Sequence, residues 1–504
     1  MDMEKQLKHL LGLLWFGLSM LPGLQAQSAS SAWPEDMAYI QKQLEKTFPH
    51  FESHPQQSEV EQRFSELRER LESLSDFEVL AGIQYALNPL GDESARIPFF
   101  QTRLNTPIIS LKTYLFEDGL YVCDAPKAHS EWIGKRISTI NGMPVMAVKE
   151  KLAHYINADN GQYVDYAFPL YANMPALLAA AQLGTNTDSI TLESSDGLSA
   201  SFKAQPYETY AALERKLPND GHFQNTSFAD SPFWFAPLPD NQGLFVQLKR
   251  IQNPKDGPNF SSFIKDLKKL LNQKPNILIL DLRYGGGGNG FKLKPFTDLI
   301  REQQTQDPKF QLLVLIGRGT RGTLAELASI LSLNTKAIFI GESTAEGPNT
   351  VADSKYIELP QTGFVVSIPH VFWPTSWAAD NRKWISPDKV IDYSFEAYQK
   401  HTDPWLDAAL NYTPPKALAP VPMEIANSLV GKHQIGGRNL TVEKQGQQLL
   451  LRMNRRLKSF FEIHTELYYA SEGVLATDIP QVFVHYDIEN HTITQLDWKG
   501  VNIQ

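Results

Sequence analysis

Cysteine is nearly absent. Cys123 stands alone in 504 residues, so no disulfide can form within the chain and a fold of this size must rest on its own core. Basic charge is also short, with 47 Lys and Arg against 56 Asp and Glu and a net charge of −9. A nucleic-acid binder would carry a basic stripe instead. The 12 histidines show no metal-ligand spacing, so neither a metal nor another cofactor is expected. Beyond the first 26 residues no stretch approaches the roughly 18 uninterrupted apolar residues of a membrane helix. The one long apolar run, Leu10–Leu21, follows Lys5 and Lys8 and precedes the small residues of Gly23–Ala26. That order is a signal peptide over 1–26, and it predicts an exported protein, periplasmic or secreted.

What remains is ordinary globular composition, 42% hydrophobic and 20% charged, and the length predicts about three domains. Residues 33–105 read as helical, because MAYIQKQLEKTF and EVEQRFSELRERLESL space apolar residues by three and four with charges between. Residues 106–205 read as a β-rich module with hairpin turns at Asn141-Gly142 and Asp196-Gly197. An apolar helical segment, 164–183, interrupts it and is expected to serve packing. Residues 206–412 alternate strands with helices. Thr413–Pro422 holds four prolines, which predicts a stiff linker over 413–424. Residues 425–504 carry short strands and turns, including Lys444–Gly446, and read as a separate β domain. The fold class is therefore α/β, a mixed α+β multidomain chain.

Chemistry concentrates between Pro275 and Ala328. The run NILILDL suits a buried strand of a parallel sheet, with Asp281 and Arg283 where it leaves the core. Gly285 to Gly288 follow at once, and four glycines in a row suit a sharp turn that presents backbone N–H groups. A second buried strand, Leu312 to Ile316, ends in a polar turn, Gly317 to Thr323, before a helical pattern. Both turns fall at one edge of a parallel sheet, where ligands and catalytic groups collect. No G-K-[ST] follows the glycines, so a phosphate loop is excluded, and no well-placed acid supports a dinucleotide fingerprint.

These segments resemble the tail-specific (C-terminal processing) serine peptidases. ILDLRYGGGGNG is similar to that family's strand, D-L-R and glycine signature, and LVLIGRGTRGTLAELA to its nucleophile segment. IGESTAEGPN is similar to its G-E-x-T-x-G-K block, and SPDKVID and TDPWLDAAL to later blocks. The likeness runs from roughly Trp33 to Leu410. EWIGKRISTINGMPVMAV resembles a PDZ-like module, which binds an extended peptide as an added strand, and residues 425–504 resemble a lipocalin-like C-terminal module. The resemblance implies a peptidase-like core at 206–412 and protein or peptide C-terminal tails as partners.

Mapped residue by residue, the family's catalytic positions are replaced. The nucleophile position falls on Gly322 if the family threonine matches Thr320, or on Thr323 if the family glutamate matches Glu326. The lysine position falls on Gly347, and the histidine of the family's G-D-x-H-T turn on Ser94. Thr323 is the candidate nucleophile, although its β-branch crowds attack. It also reads as a helix N-cap with Glu326 as capping-box partner. Backbone N–H groups of Gly286 and Gly287, with that of Thr323 or Leu324, are candidate oxyanion donors. Asp281 and Arg283 are expected to order the turn through a charge-assisted bond. Two readings stand: a degenerate homologue that acts on protein or peptide tails, or an active peptidase using Thr323 and an unconventional base.

Overall fold

The structure is a computed structural model and describes residues 29–100, 104–215, 231–238, 243–307, 309–378, 380–413, 419–446, 448–454 and 462–503. The expected signal peptide at 1–26 lies outside the described residues.

Three helices open the described chain: Ala29–Thr47, Gln57–Arg68 and Asp76–Leu87. Their buried stripes include Met37, Ile40 and Leu44, then Phe64, then Ile83 and Leu87. Ser75 and Glu78 start the third helix as a reciprocal capping box. The buried Asp36 carboxylate accepts the N–H groups of Gln361 and Thr362, each at 2.9 Å. Those residues turn the hairpin Thr350–Glu358/Val365–Trp373, so the helical part is fastened to a strand pair more than 300 residues later.

The next unit is an antiparallel sheet in the order Lys112–Phe116, Gly119–Asp124, Arg136–Ile140, Ser189–Ser194, Ser199–Lys203, with Met143–Pro144 beside Arg136–Ile140. Asn141 and Gly142 both take positive φ, 49° and 77°, as a two-residue hairpin turn of primed type requires. The apolar insertion forms the helices Gly161–Tyr171 and Pro175–Ala180. Asn160 caps the first of them, accepting from Gln162 and Tyr163. Its amide also donates to the Thr344 and Lys383 carbonyls, at 3.2 and 2.6 Å. The insertion is thereby tied to the core as well as packed.

The core sheet has six strands in the order Lys389–Val390, Ile338–Gly341, Gln311–Ile316, Ile277–Asp281, Gly243–Leu248, Phe233–Pro237. All neighbours are parallel except the last pair. The central strand is buried on both faces. Leu278 and Leu280 pack with Phe260, Phe296 and Leu327, while Ile279 packs on the other side with Trp405 and Leu406. The two turns of interest leave the same edge of this sheet.

The chain ends in eight consecutive antiparallel strands, from Gly431–Ile435 to Val501–Ile503, with Ala419–Pro420 paired to Glu462–Ser471. The sheet curls until Ile493 N donates to His433 Nδ1 at 3.4 Å, close to a barrel. Trp498 Nε1 donates to the Ser332 carbonyl at 3.0 Å, and Lys499 Nζ reaches the Ala337 carbonyl and Asp388 at 3.2 and 3.1 Å. The C-terminal sheet is docked on the core.

Candidate active-site region

Asp281 ends the central strand, and Arg283 turns back onto it. Arg283 Nε donates to Asp281 Oδ1 at 2.9 Å and one terminal nitrogen donates to Asp281 Oδ2 at 2.9 Å. The same guanidinium grips Asp403 in a second two-point contact, at 2.7 and 2.8 Å. All three residues are at least 95% buried. Burial opposes the charge on Arg283, but the two carboxylates hold its pKa well above the ordinary value. Gln247 adds a further bond to Asp281 Oδ2 at 3.0 Å. Asp403 also caps the helix Pro404–Leu410 through Leu406 N. Every charge in this clasp has a partner, so it is a support for the turn rather than a reacting group.

The glycines follow. A Cβ on Gly285 would lie 1.8 Å from the Lys249 carbonyl oxygen, and one on Gly288 would lie 2.6 Å from Ile251 N. Gly286 runs parallel beside Arg321 as a single bridge. Gly285 and Gly288 are therefore where two backbones cross at a distance that no side chain permits. Thr320, fully buried, pins the second turn to the first, its hydroxyl donating to the Leu282 carbonyl at 2.9 Å.

The second turn corrects three expectations. The N-cap of the helix Thr323–Asn334 is Gly322, not Thr323. Gly322 has φ 52° and ψ −136°, a backbone state that a side chain rarely tolerates. A Cβ there would sit 2.8 Å from Gly287 N. Glu326 is not a capping partner either. Its carboxyl lies toward Gly290, whose added Cβ would meet Glu326 Oε2 at 2.5 Å. Burial, and then Asp353, push its pKa up to about 7. The Leu324 N–H, expected as an oxyanion donor, is engaged by the Arg321 carbonyl at 3.2 Å. Thr323 is the first residue of the helix and is 6% exposed. Its hydroxyl makes no hydrogen bond among the described residues.

Beside this turn lies a group of charges that the sequence did not announce. Glu346 Oε2 accepts the Gly322 N–H at 2.8 Å. Glu93 Oε1 binds Arg321 at 2.9 Å, which brings the Gly91–Ala95 turn against the helix start. Glu93 N donates to Asp159 at 3.3 Å, and Asp92 accepts from Ser94 N at 2.7 Å. Burial works against ionised Glu93, but Arg321 and then Arg96 hold it below its ordinary value. Burial pushes the other three up, helped by their like-charged neighbours. Asp92 rises to about 7, and Asp159 and Glu346 rise well above the carboxylate range.

The positions mapped to lysine and histidine lie here too. Gly347 packs so closely that a Cβ would be 2.3 Å from the Arg382 carbonyl oxygen. The Ser94 carbonyl accepts the Ser367 hydroxyl at 2.7 Å, so Ser94 joins the turn to the hairpin. Among the described residues no cluster of His, Cys, Asp and Glu has the geometry of a metal site, and no helix is long and apolar enough to cross a membrane.

No family model matches the sequence. No curated protein matches it either. Solved structures do resemble the fold. A point mutant of CPAF superposes with a TM-score of 0.52 at 11% identity, covering 76% of this chain and 98% of that one. The photosystem II D1 C-terminal processing protease gives 0.35 at 14% identity, over 74% of this chain and 97% of that one. At such identities likeness speaks to fold alone, and this chain shares its fold with CPAF over about three quarters of its length.

Proposed function

We propose that this protein is an exported member of the tail-specific peptidase group that holds protein or peptide C-terminal tails without cutting them. The D-L-R-glycine signature, the nucleophile-type segment and the shared fold support the group. The observation that carries the non-hydrolytic reading is the occupied elbow. Gly322 stands at the sharp strand-to-helix turn with no side chain, and its N–H is already bound to Glu346 at 2.8 Å. Hydrolysis needs a nucleophile, a base within hydrogen-bond reach and free donors for the oxyanion. Thr323 supplies a hydroxyl but has no hydrogen-bonded base among the described residues. Gly347 and Ser94 bring no base to the positions where the family has one.

The test is a paired assay on an unfolded reporter with an apolar C-terminal tail, using the mature chain and Thr323→Ala. The expected result is no cleavage by either protein and equal tail affinity for both, read by fluorescence anisotropy. Cleavage by the parent that disappears in the variant would sink the reading and establish a threonine peptidase. Export is checked by N-terminal sequencing of the mature protein, which should begin at Gln27.

A further inference from the structure

A cavity of about 480 Å3 has Arg321 in its wall. The segment 96–100, the strand Lys112–Phe116, the helix Gly161–Tyr171 and the helix Tyr207–Ala211 enclose it. Among the described residues four cations line it, Arg96, Lys112, Arg215 and Arg321, together with six tyrosines, and no Asp or Glu does. Arg321 is paired with Glu93. The other three, all half-buried, form no ion pair among the described residues.

Their surroundings are aromatic. Arg215 lies over the Tyr114 ring at 3.9 Å, and Lys112 Nζ lies over Tyr210 at 4.2 Å. Such contacts orient a cation but leave its charge uncompensated. Burial, and then repulsion by Arg215, hold the Lys112 pKa below its ordinary value. Asp124 acts on Lys112 in the opposite sense, without a direct bond to it, and its oxygens accept the Ala125 and Glu214 N–H groups, each at 2.9 Å. Withdrawing cations from water with no carboxylate in direct contact costs free energy. A wall that sets Lys112 and Arg215 against tyrosine rings, with Arg96 beside them already drawn toward Glu93, is suited to a ligand that brings further negative charge.

We propose that this cavity binds a small organic anion with at least two negative charges and a flat apolar body. Lys112, Arg215 and Arg96 take its carboxylate or phosphate groups, and the tyrosine rings take the body. The volume is that of a small-ligand pocket, and the arginine forks suit both anions. The inference stands on the cavity alone and does not depend on tail binding.

Calorimetric titration and thermal unfolding of the mature chain test it, with phenyl phosphate and phthalate as probes and neutral benzyl alcohol as control. Saturable binding of either anion with a raised unfolding temperature, and none by the alcohol, is expected. The anion that binds tells phosphate from dicarboxylate. Lys112→Met and Arg215→Met should each weaken binding by about tenfold or more. Without ligand they should unfold at the same or a higher temperature, because a like-charge contact has gone. Should one of them fail to fold, Arg96→Met carries the same binding test. Absence of binding by both anions overturns the proposal, as does undiminished affinity in the variants. Neither result touches the tail-binding reading, whose reporter assay is scored separately.

Discussion

Two groups of buried charge stand at the same sheet edge and are built on opposite terms. In the clasp of Asp281, Arg283 and Asp403 one guanidinium satisfies two carboxylates with four short bonds. Around Gly322 four carboxyl groups share one close ion pair among the described residues, Glu93–Arg321, and three of them are pushed up toward the neutral form. Perturbed groups cluster at functional sites, and satisfied pairs are equally at home in scaffolds. The clasp holds the glycine turn in place. The cluster is where the charge has been left unsettled, against the turn that opens the helix Thr323–Asn334.

Breaking the clasp should give the largest effect. Asp403→Ala leaves half of a buried guanidinium unpaired and should cost about 3–5 kcal/mol in urea denaturation, whereas Glu93→Gln, on the cluster side, should cost far less. Gly322→Ser comes next. It forces a side chain into positive φ against Gly287 N and should cost about 1–3 kcal/mol. It should not create peptidase activity, and turnover of the tailed reporter by this variant would count against an elbow closed by Glu346.

The smaller effects depend on pH. Glu326 has an ordinary value of 4.5 and a folded value of about 7. Below 4.5 both states keep the proton, and no penalty exists. Between 4.5 and 7 the unfolded chain ionises first, so stability falls as pH rises, and above 7 the loss is complete. Glu326→Gln should therefore gain about 1–2 kcal/mol at pH 8 after solvent screening and nothing near pH 4, by thermal unfolding at both values. Glu346→Gln should show the same sign, because its carboxyl is also raised and the amide oxygen still accepts the Gly322 N–H.

Local pattern carried much of this to the reader of the sequence. Asp281 and Arg283 stand two residues apart after an apolar run, so their turn was legible, and Asn141-Gly142 announced its own backbone. The partner that completes the clasp, Asp403, lies 120 residues away and no local signal points to it. Glu93 reaches Arg321 across 228 residues, which likewise has no trace in either segment. The helix start was misplaced for a different reason. Thr323 and Glu326 have the spacing of a capping box, but the positive φ of Gly322 sets the boundary one residue earlier. The insertion at 164–183 was legible as apolar, yet Tyr166, Leu170 and Tyr171 within it also wall a cavity, which hydrophobicity alone does not distinguish from core.

The docking of Trp498 and Lys499 on Ser332 and Ala337 spans 166 and 162 residues. The end of the helix Thr323–Asn334 and the residues just after it are thus covered by strands that are made long after them. Long closures of this kind are slow and leave apolar surface open to wrong partners. Until the strands Thr492–Trp498 and Val501–Ile503 close, the end of that helix keeps a bare face, so closure of the C-terminal sheet is the step that seals this side of the core.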